Sequence, residues 1–303
     1  AMTSATSLLA HPSMRALLSG AIDYAGLFPP AGLDMASAVS NYAQYRSSCD
    51  AWALGSFVLP IARLDELVAA ASPRWRASSD ETPWRLSVLT GIDPAADAPH
   101  ISAFNAAFAN VARIESLESR ASTPLAVSHL AGCCPGMQHF VEIPLSVDLP
   151  PMVGAVRAIG ASAKMRTGGV TPDAFPATRD VARFLRACAD AGIAFKATAG
   201  LHHPVRSEYR LTYESKSARG TMFGYFNVFL AAALALDGAT VDQMLVTLEG
   251  RSTAMLGIVD EEIRWEGLRV STARLQEVRA SFARSFGSCS FREPLDELET
   301  LFA

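Results

Sequence analysis

Short apolar runs that stop at glycine, proline or a polar residue, each followed by apolar positions at helical spacing, recur along the first two thirds of the chain. AIDYAGLFPP leads into LDMASAVSNYAQYR, and WALGSFVLPI leads into ARLDELVAAA. WRLSVLTGI and NVARIESLES supply two further strands. HFVEIPLSV precedes LPPMVGAVRAIG, and ASAKMRTGG precedes TRDVARFLRACADAG. Both of those helical segments close on glycine, which tolerates the left-handed turn at a helix end. IAFKATAG follows at once. Buried strands alternating with amphipathic helices predict a parallel sheet joined by right-handed crossovers.

Seven such strands precede a long helical piece at 221–249. A hairpin-like stretch, IVDEEIRWEGLRVS, comes next, then a helix near 271–284, the run FGSCSF and a last helix, REPLDELETLF. With FGSCSF as the eighth strand, the α/β pattern predicts a (β/α)8 TIM barrel, one domain over 1–303 with 205–270 inserted between strands seven and eight. A doubly wound sheet is the alternative, but no GxGxxG follows the first strand. YFNVFLAAALALDG is apolar around most of its circumference, which predicts a buried helix or a subunit interface and leaves a homo-oligomer open.

Half of the 303 residues are apolar, enough for a large core. A net charge of -4 without runs of like charge argues against a nucleic-acid partner and against a basic membrane surface. The opening residues lack the basic start and apolar centre of a signal peptide, and the longest apolar stretch is broken by Asn227, so a cytoplasmic location is expected. Five scattered cysteines without a CxxC predict a reduced protein with no zinc spacing. No cofactor is expected.

Lysine use changes the picture. Only positions 164, 196 and 216 are lysine, while every other basic side chain that carries a permanent charge is arginine. Where an ammonium serves only solubility, this chain uses arginine, and what lysine alone supplies is a deprotonatable amine that attacks carbonyls. Alternation along a strand turns Ser162, Lys164 and Arg166 to one face, and Ala194, Lys196 and Thr198 likewise. At the ends of neighbouring strands six and seven the two ammonium groups would repel, and repulsion with desolvation lowers an amine pKa. Such an amine condenses with an aldehyde or ketone to a Schiff base.

KMRTGG and KATAGLH resemble the two lysine-bearing strands of deoxyribose-phosphate aldolase and its class I aldolase relatives, which carry patterns like K-x-S-T-G and K-A-A-G-G-I-R. AIDYAGLFPP, FVEIPL and FGSCSF are similar to that family's first, fifth and last strands, in the same order. The resemblance implies a lyase of carbohydrate metabolism with Lys164 as the Schiff-base lysine and Lys196 as the cation that depresses its pKa. It implies a strand-four proton relay, matched here by Glu115, with Asp23 and Glu142 as further acids at the mouth. Gly168, Gly169, Gly200, Ser288 and Ser290 stand where the family contacts phosphate, and Thr167, Thr198 and Cys289 join them as candidate substrate contacts.

The chain also departs from that pattern. A second glycine follows Thr167-Gly168, the turn after Gly200 runs LHHPVR, Cys289 replaces a small hydroxyl residue, and Arg166 has no counterpart. An arginine there suits a substrate carboxylate, so the expected partner is a small carbonyl compound, phosphorylated or carboxylated. His202 and His203 are candidate acid–base or substrate contacts, and no metal is assigned. The competing readings are a metal-assisted hydrolase or isomerase using His202 or His203 with Glu142 and Asp23, and a binding barrel without catalysis.

Overall fold

The computed structural model describes residues 7–77, 82–133, 135–254 and 256–301. Its barrel strands are β1 (Ile22–Tyr24), β2 (Leu54–Pro60), β3 (Trp84–Leu89), β4 (Ala112–Arg120), β5 (Gln138–Glu142), β6 (Ser162–Arg166) and β7 (Phe195–Thr198). A hairpin follows, β8 (Ser207–Arg210) with β9 (Arg219–Met222), and then a small antiparallel sheet, β10 (Gly257–Ile258), β11 (Glu262–Trp265) and β12 (Leu268–Ser271). The last barrel strand is β13 (Ala283–Ser288). The barrel closes in the order β1-β13-β7-β6-β5-β4-β3-β2, every neighbouring pair parallel. This is the (β/α)8 barrel that the alternation of strands and helices predicts.

A short helix, α1 (Pro12–Leu18), precedes the barrel. The ring around it consists of α2 (Met35–Arg46), α3 (Leu64–Ala77), α4 (Pro94–Phe108), α5 (Pro124–Ser128), α6 (Leu149–Ala158) and α7 (Thr178–Ala191). After β7 come α8 (Tyr225–Leu236) and α9 (Val241–Glu249); α10 (Thr272–Ser281) leads into β13 and α11 (Arg292–Thr300) follows it. Local chemistry sets the ends. Asp34 accepts a hydrogen bond from the Ser37 N–H at 2.7 Å and starts α2. Gly192, at φ +65°, takes the left-handed conformation that stops α7.

The segment 205–270 is not wholly an addition to the barrel. Helix α8 packs between α7 and α10 and against β13, so it fills the place of the seventh barrel helix. Its apolar circumference is covered within the chain, which accounts for the apolar run by burial. The one polar residue in the middle of that run, Asn227, is fully buried. It accepts from the Arg206 N–H at 2.8 Å and donates to the carbonyls of Thr247 at 2.8 Å and Gly250 at 2.9 Å. One amide thereby joins the start of the hairpin to α8 and the end of α9, leaving its buried polar atoms satisfied.

Candidate active site

Barrel interiors are usually filled by branched aliphatic side chains. Here the C-terminal half of the interior holds buried charges instead. Lys164 and Lys196, 3% and 1% exposed, sit opposite one another in register on β6 and β7. Lys164 Nζ donates to Glu118 Oε2 at 2.6 Å, and Lys196 Nζ donates to Glu118 Oε1 at 2.5 Å. Lys196 also pairs with Asp23 Oδ2 at 2.7 Å, and Lys164 lies 3.0 Å from Glu142 Oε2. Glu142 Oε1 in turn pairs with Arg120 Nε at 3.2 Å. The result is an alternating chain of charges, Asp23, Lys196, Glu118, Lys164, Glu142 and Arg120, running from the buried interior to an exposed rim.

Neutral donors hold this chain in place. Ser87 Oγ donates to Glu118 Oε1 at 2.6 Å, and Ser116 Oγ supports Ser87 at 2.8 Å. Asp23 Oδ1 accepts from the Ser56 N–H at 2.7 Å, and Oδ2 accepts from Ser285 Oγ at 2.6 Å. Glu142 Oε2, by contrast, is buried and makes no hydrogen bond, although the Lys164 ammonium is beside it.

The mutual repulsion expected to lower a lysine pKa is outweighed at Lys196. Burial lowers its pKa, but the charges and hydrogen bonds of Asp23 and Glu118 prevail and raise it well above the ordinary lysine range. Lys196 is therefore a standing cation. Burial raises the Glu118 carboxyl, yet the two ammonium groups overcome that and hold it far below the usual carboxylate range.

Glu115 is not in this group. Its carboxylate pairs with Arg85 Nε at 2.8 Å, half-exposed, and both residues line a cavity at the N-terminal opening of the barrel. The cause is a bulge. Between β3 and β4 the register passes from Leu86↔Ile114 to Ser87↔Ser116, so Glu115 has no partner. Beyond the bulge, Ser116 and Glu118 face the interior, and the strand-four carboxylate beside the lysines is Glu118. Sequence reasoning missed Glu118 and Arg120. The signal available was that both lie at the C-terminal end of the same strand, the end where barrel chemistry gathers.

A mouth cavity of about 200 Å³ opens above the charges. Glu118, Arg120, Lys164, Arg166, Gly169, Thr198, Gly200, His202 and Cys289 line it, with Phe28, Val58, Leu89, Leu211 and Met222 as an apolar wall. A wider cleft of about 590 Å³ adjoins it and shares Arg120 and Arg166, with Glu142 on its wall. Lys164 faces the mouth, whereas Lys196 and Asp23 lie beneath it.

The remaining expected contacts divide. Thr167 is fully buried, and its hydroxyl donates to the Ala199 carbonyl at 2.5 Å. That bond holds Ala199 and Gly200 at φ +59° and +69°, a left-handed pair that turns the chain sharply after β7. A Cβ on Gly168 would lie 2.3 Å from the Phe175 ring, so a neighbouring side chain already uses the space this glycine leaves. Ser288 is buried, 3.0 Å from His202 Nδ1, and donates to the Ser290 carbonyl at 2.6 Å. The Ser290 hydroxyl accepts from the Glu293 N–H at 3.1 Å, at the start of α11.

The two histidines have different surroundings. His203 is removed from the mouth: its ring stacks on Tyr209 at 3.4 Å, and its Nδ1 lies 2.6 Å from Glu297. His202 lines the mouth, and burial with the nearby His203 lowers its pKa to about 3. It is not placed with Glu142 or Asp23, which are taken by the lysines. Its neighbours are Cys289 Sγ at 3.8 Å and Glu293 Oε2 at 3.9 Å. Burial pushes the Cys289 thiol up to about 11, so it is a neutral thiol near pH 7 and a weak nucleophile. Among the described residues no helix is long and apolar enough to cross a membrane. No protein-family model matches the chain, and no curated protein matches it.

Proposed function

We propose that the chain is a Schiff-base lyase that makes or breaks a carbon–carbon bond next to a carbonyl. One observation carries this reading: a buried lysine, Lys164, opens onto the mouth cavity while a second buried lysine, Lys196, shares its counter-ion Glu118. Of the two, it is Lys164 that lines the mouth and meets the ligand in this reading. Lys196 serves as the fixed cation behind it.

In this reading Glu142 and Glu118 take different parts. Glu142 Oε2, 3.0 Å from Lys164 and free of other hydrogen bonds, takes the ammonium proton and frees the nitrogen lone pair. That pair attacks the carbonyl carbon, a proton passes from the attacking nitrogen to the carbonyl oxygen, and a neutral carbinolamine forms. The Glu142 acid then protonates the departing hydroxyl, water leaves, and the nitrogen lone pair closes the C=N⁺ bond. Glu118, whose charge Lys196 keeps fixed, faces the iminium as it faced the ammonium, so the buried charge balance is unchanged. Cleavage sends the α,β bond pair into the iminium to give an enamine, while the β-hydroxyl loses its proton to Glu142 and leaves as an aldehyde. Protonation of the enamine and hydrolysis restore Lys164.

Borohydride reduction in the presence of a panel of aldehydes and ketones, read by intact mass and peptide mapping, tests this. The expected product is one adduct on Lys164. No adduct with any member of the panel sinks the reading.

A second reading is favoured by His202, Cys289 and Glu293, whose ligand atoms all lie within 4.8 Å of one another. A nitrogen, a sulfur and a carboxylate are a donor set suited to zinc with one open position. Stoichiometric zinc in the purified protein, lost on Cys289→Ser, together with no trapped adduct, selects this reading.

A further inference from the structure

Arg166 closes β6 two residues after Lys164, on the same face of the strand, and is exposed. It lines both the mouth cavity and the adjoining cleft. Among the described residues no hydrogen bond or ion pair engages its side chain. Asp173 and Asp180 share the cleft without pairing with it, and Asp180 is taken up by Arg183 at 3.2 Å. The chain of charges balances by itself, three buried carboxylates (Asp23, Glu118, Glu142) against two buried lysines (Lys164, Lys196) and the exposed Arg120. Arg166 is a further cation at the mouth, and its planar fork fits a carboxylate bidentately.

Packing accounts for the glycines after β6 and β7 without a bound phosphate. A Cβ on Gly168 would strike Phe175 at 2.3 Å, and one on Gly169 would strike Ala174 at 2.7 Å. At Gly200 the obstacles, both at 3.0 Å, are the Gly168 Cα and the Phe175 ring. These positions are glycine because the loops and Phe175 pack on one another. Among the described residues the cation that stands without a partner at the mouth is the Arg166 guanidinium, and a mouth of about 200 Å³ is small beside the ~300–1,000 Å³ of pockets for drug-sized ligands.

We propose that the substrate is a short oxo acid whose carboxylate is held by Arg166, with Arg120 beside it on the rim, while its carbonyl meets Lys164. This rests on the Schiff-base reading, and the test separates the two. Oxamate keeps the carboxylate of pyruvate but carries an amide that does not condense with an amine. Calorimetric titration is expected to show oxamate binding to the wild type and at least tenfold weaker binding to Arg166→Gln, about 1.4 kcal/mol. Arg166→Lys is expected to lie between them, and inorganic phosphate to bind more weakly than oxamate. Equal oxamate affinity in wild type and Arg166→Gln, no oxamate binding, or tighter binding of phosphate overturns the proposal.

Borohydride trapping with pyruvate supplies the other arm. A Lys164 adduct that forms as readily in Arg166→Gln overturns the carboxylate site and leaves the imine chemistry. Arginine-dependent oxamate binding with no pyruvate adduct keeps the carboxylate site and removes the imine. Both variants are first checked for wild-type urea unfolding, which the exposure of Arg166 favours.

Discussion

Lys164 and Lys196 stand directly opposite one another on adjacent strands, and a single carboxylate, Glu118, accepts a hydrogen bond from each. Two ammonium groups in register inside a barrel would destabilise it. With Glu118 between them they form one buried unit, in which each cation has a second carboxylate at its far side. The arrangement keeps Lys196 charged.

Glu118→Gln removes the shared counter-charge and leaves two buried cations under-paired. The expected loss is about 3–5 kcal/mol of unfolding free energy, the usual result of breaking a buried pair from one side. Adding Lys196→Met recovers part of that loss, so a double-mutant cycle in urea shows strong coupling. A Glu118→Gln protein within ~1 kcal/mol of wild type contradicts the shared-counter-ion account.

The pH dependence follows from the same groups. Glu118 has a depressed folded pKa, so its stabilisation is complete above its ordinary 4.5 and is lost as pH falls further, toward the folded value. Lys196 has a raised folded pKa, so its stabilisation is complete below its ordinary 10.5 and is lost as pH rises beyond it. The stability difference between wild type and Glu118→Gln/Lys196→Met is expected to be flat between those limits and to shrink outside them. A difference that instead varies steadily between pH 5 and 10, read by urea titration, counts against it.

Glu142 and Glu115 are expected to separate cleanly. Glu142→Gln slows adduct formation on Lys164 by about 10²–10⁴-fold, the range for loss of a general acid–base group. Glu115→Gln leaves the trapping rate unchanged and costs at most about 1 kcal/mol, because its pair with Arg85 is half-exposed. Equal trapping rates for the two variants would remove Glu142 from the proton path.

Gly168→Ala places a methyl against the Phe175 ring, and an overpacking cost of about 1–3 kcal/mol is expected. Phe175→Leu in the same chain relieves part of it. Thermal unfolding of the single and double variants measures this, and additive losses exclude the contact.

The fold was legible because strand and helix periods alternate cleanly from Ile22 to Ala191, and because eight apolar runs were countable. Lysine scarcity alone marks Lys164 and Lys196 in the sequence. Glu118 was hidden by the bulge after Ile114, which breaks the two-residue alternation on which facing is judged. The separate environments of His202 and His203 depend on hairpin β8–β9 and helix α11, contacts between segments far apart in the chain. The glycines matched a phosphate pattern by type, while what fills their space, Phe175 and Ala174, is known only from packing.

Asp23 gives the barrel's closure a chemical meaning. It sits on β1, the three-residue strand that joins β13 to β2, and it receives Ser56 from one side and Ser285 and Lys196 from the other. The cation behind the candidate nucleophile thus receives one of its two carboxylates from the strand that completes the ring. A molecule with that seam open lacks this half of the electrostatic support for Lys196, so complete assembly of the ring and a competent amine are expected to arrive together.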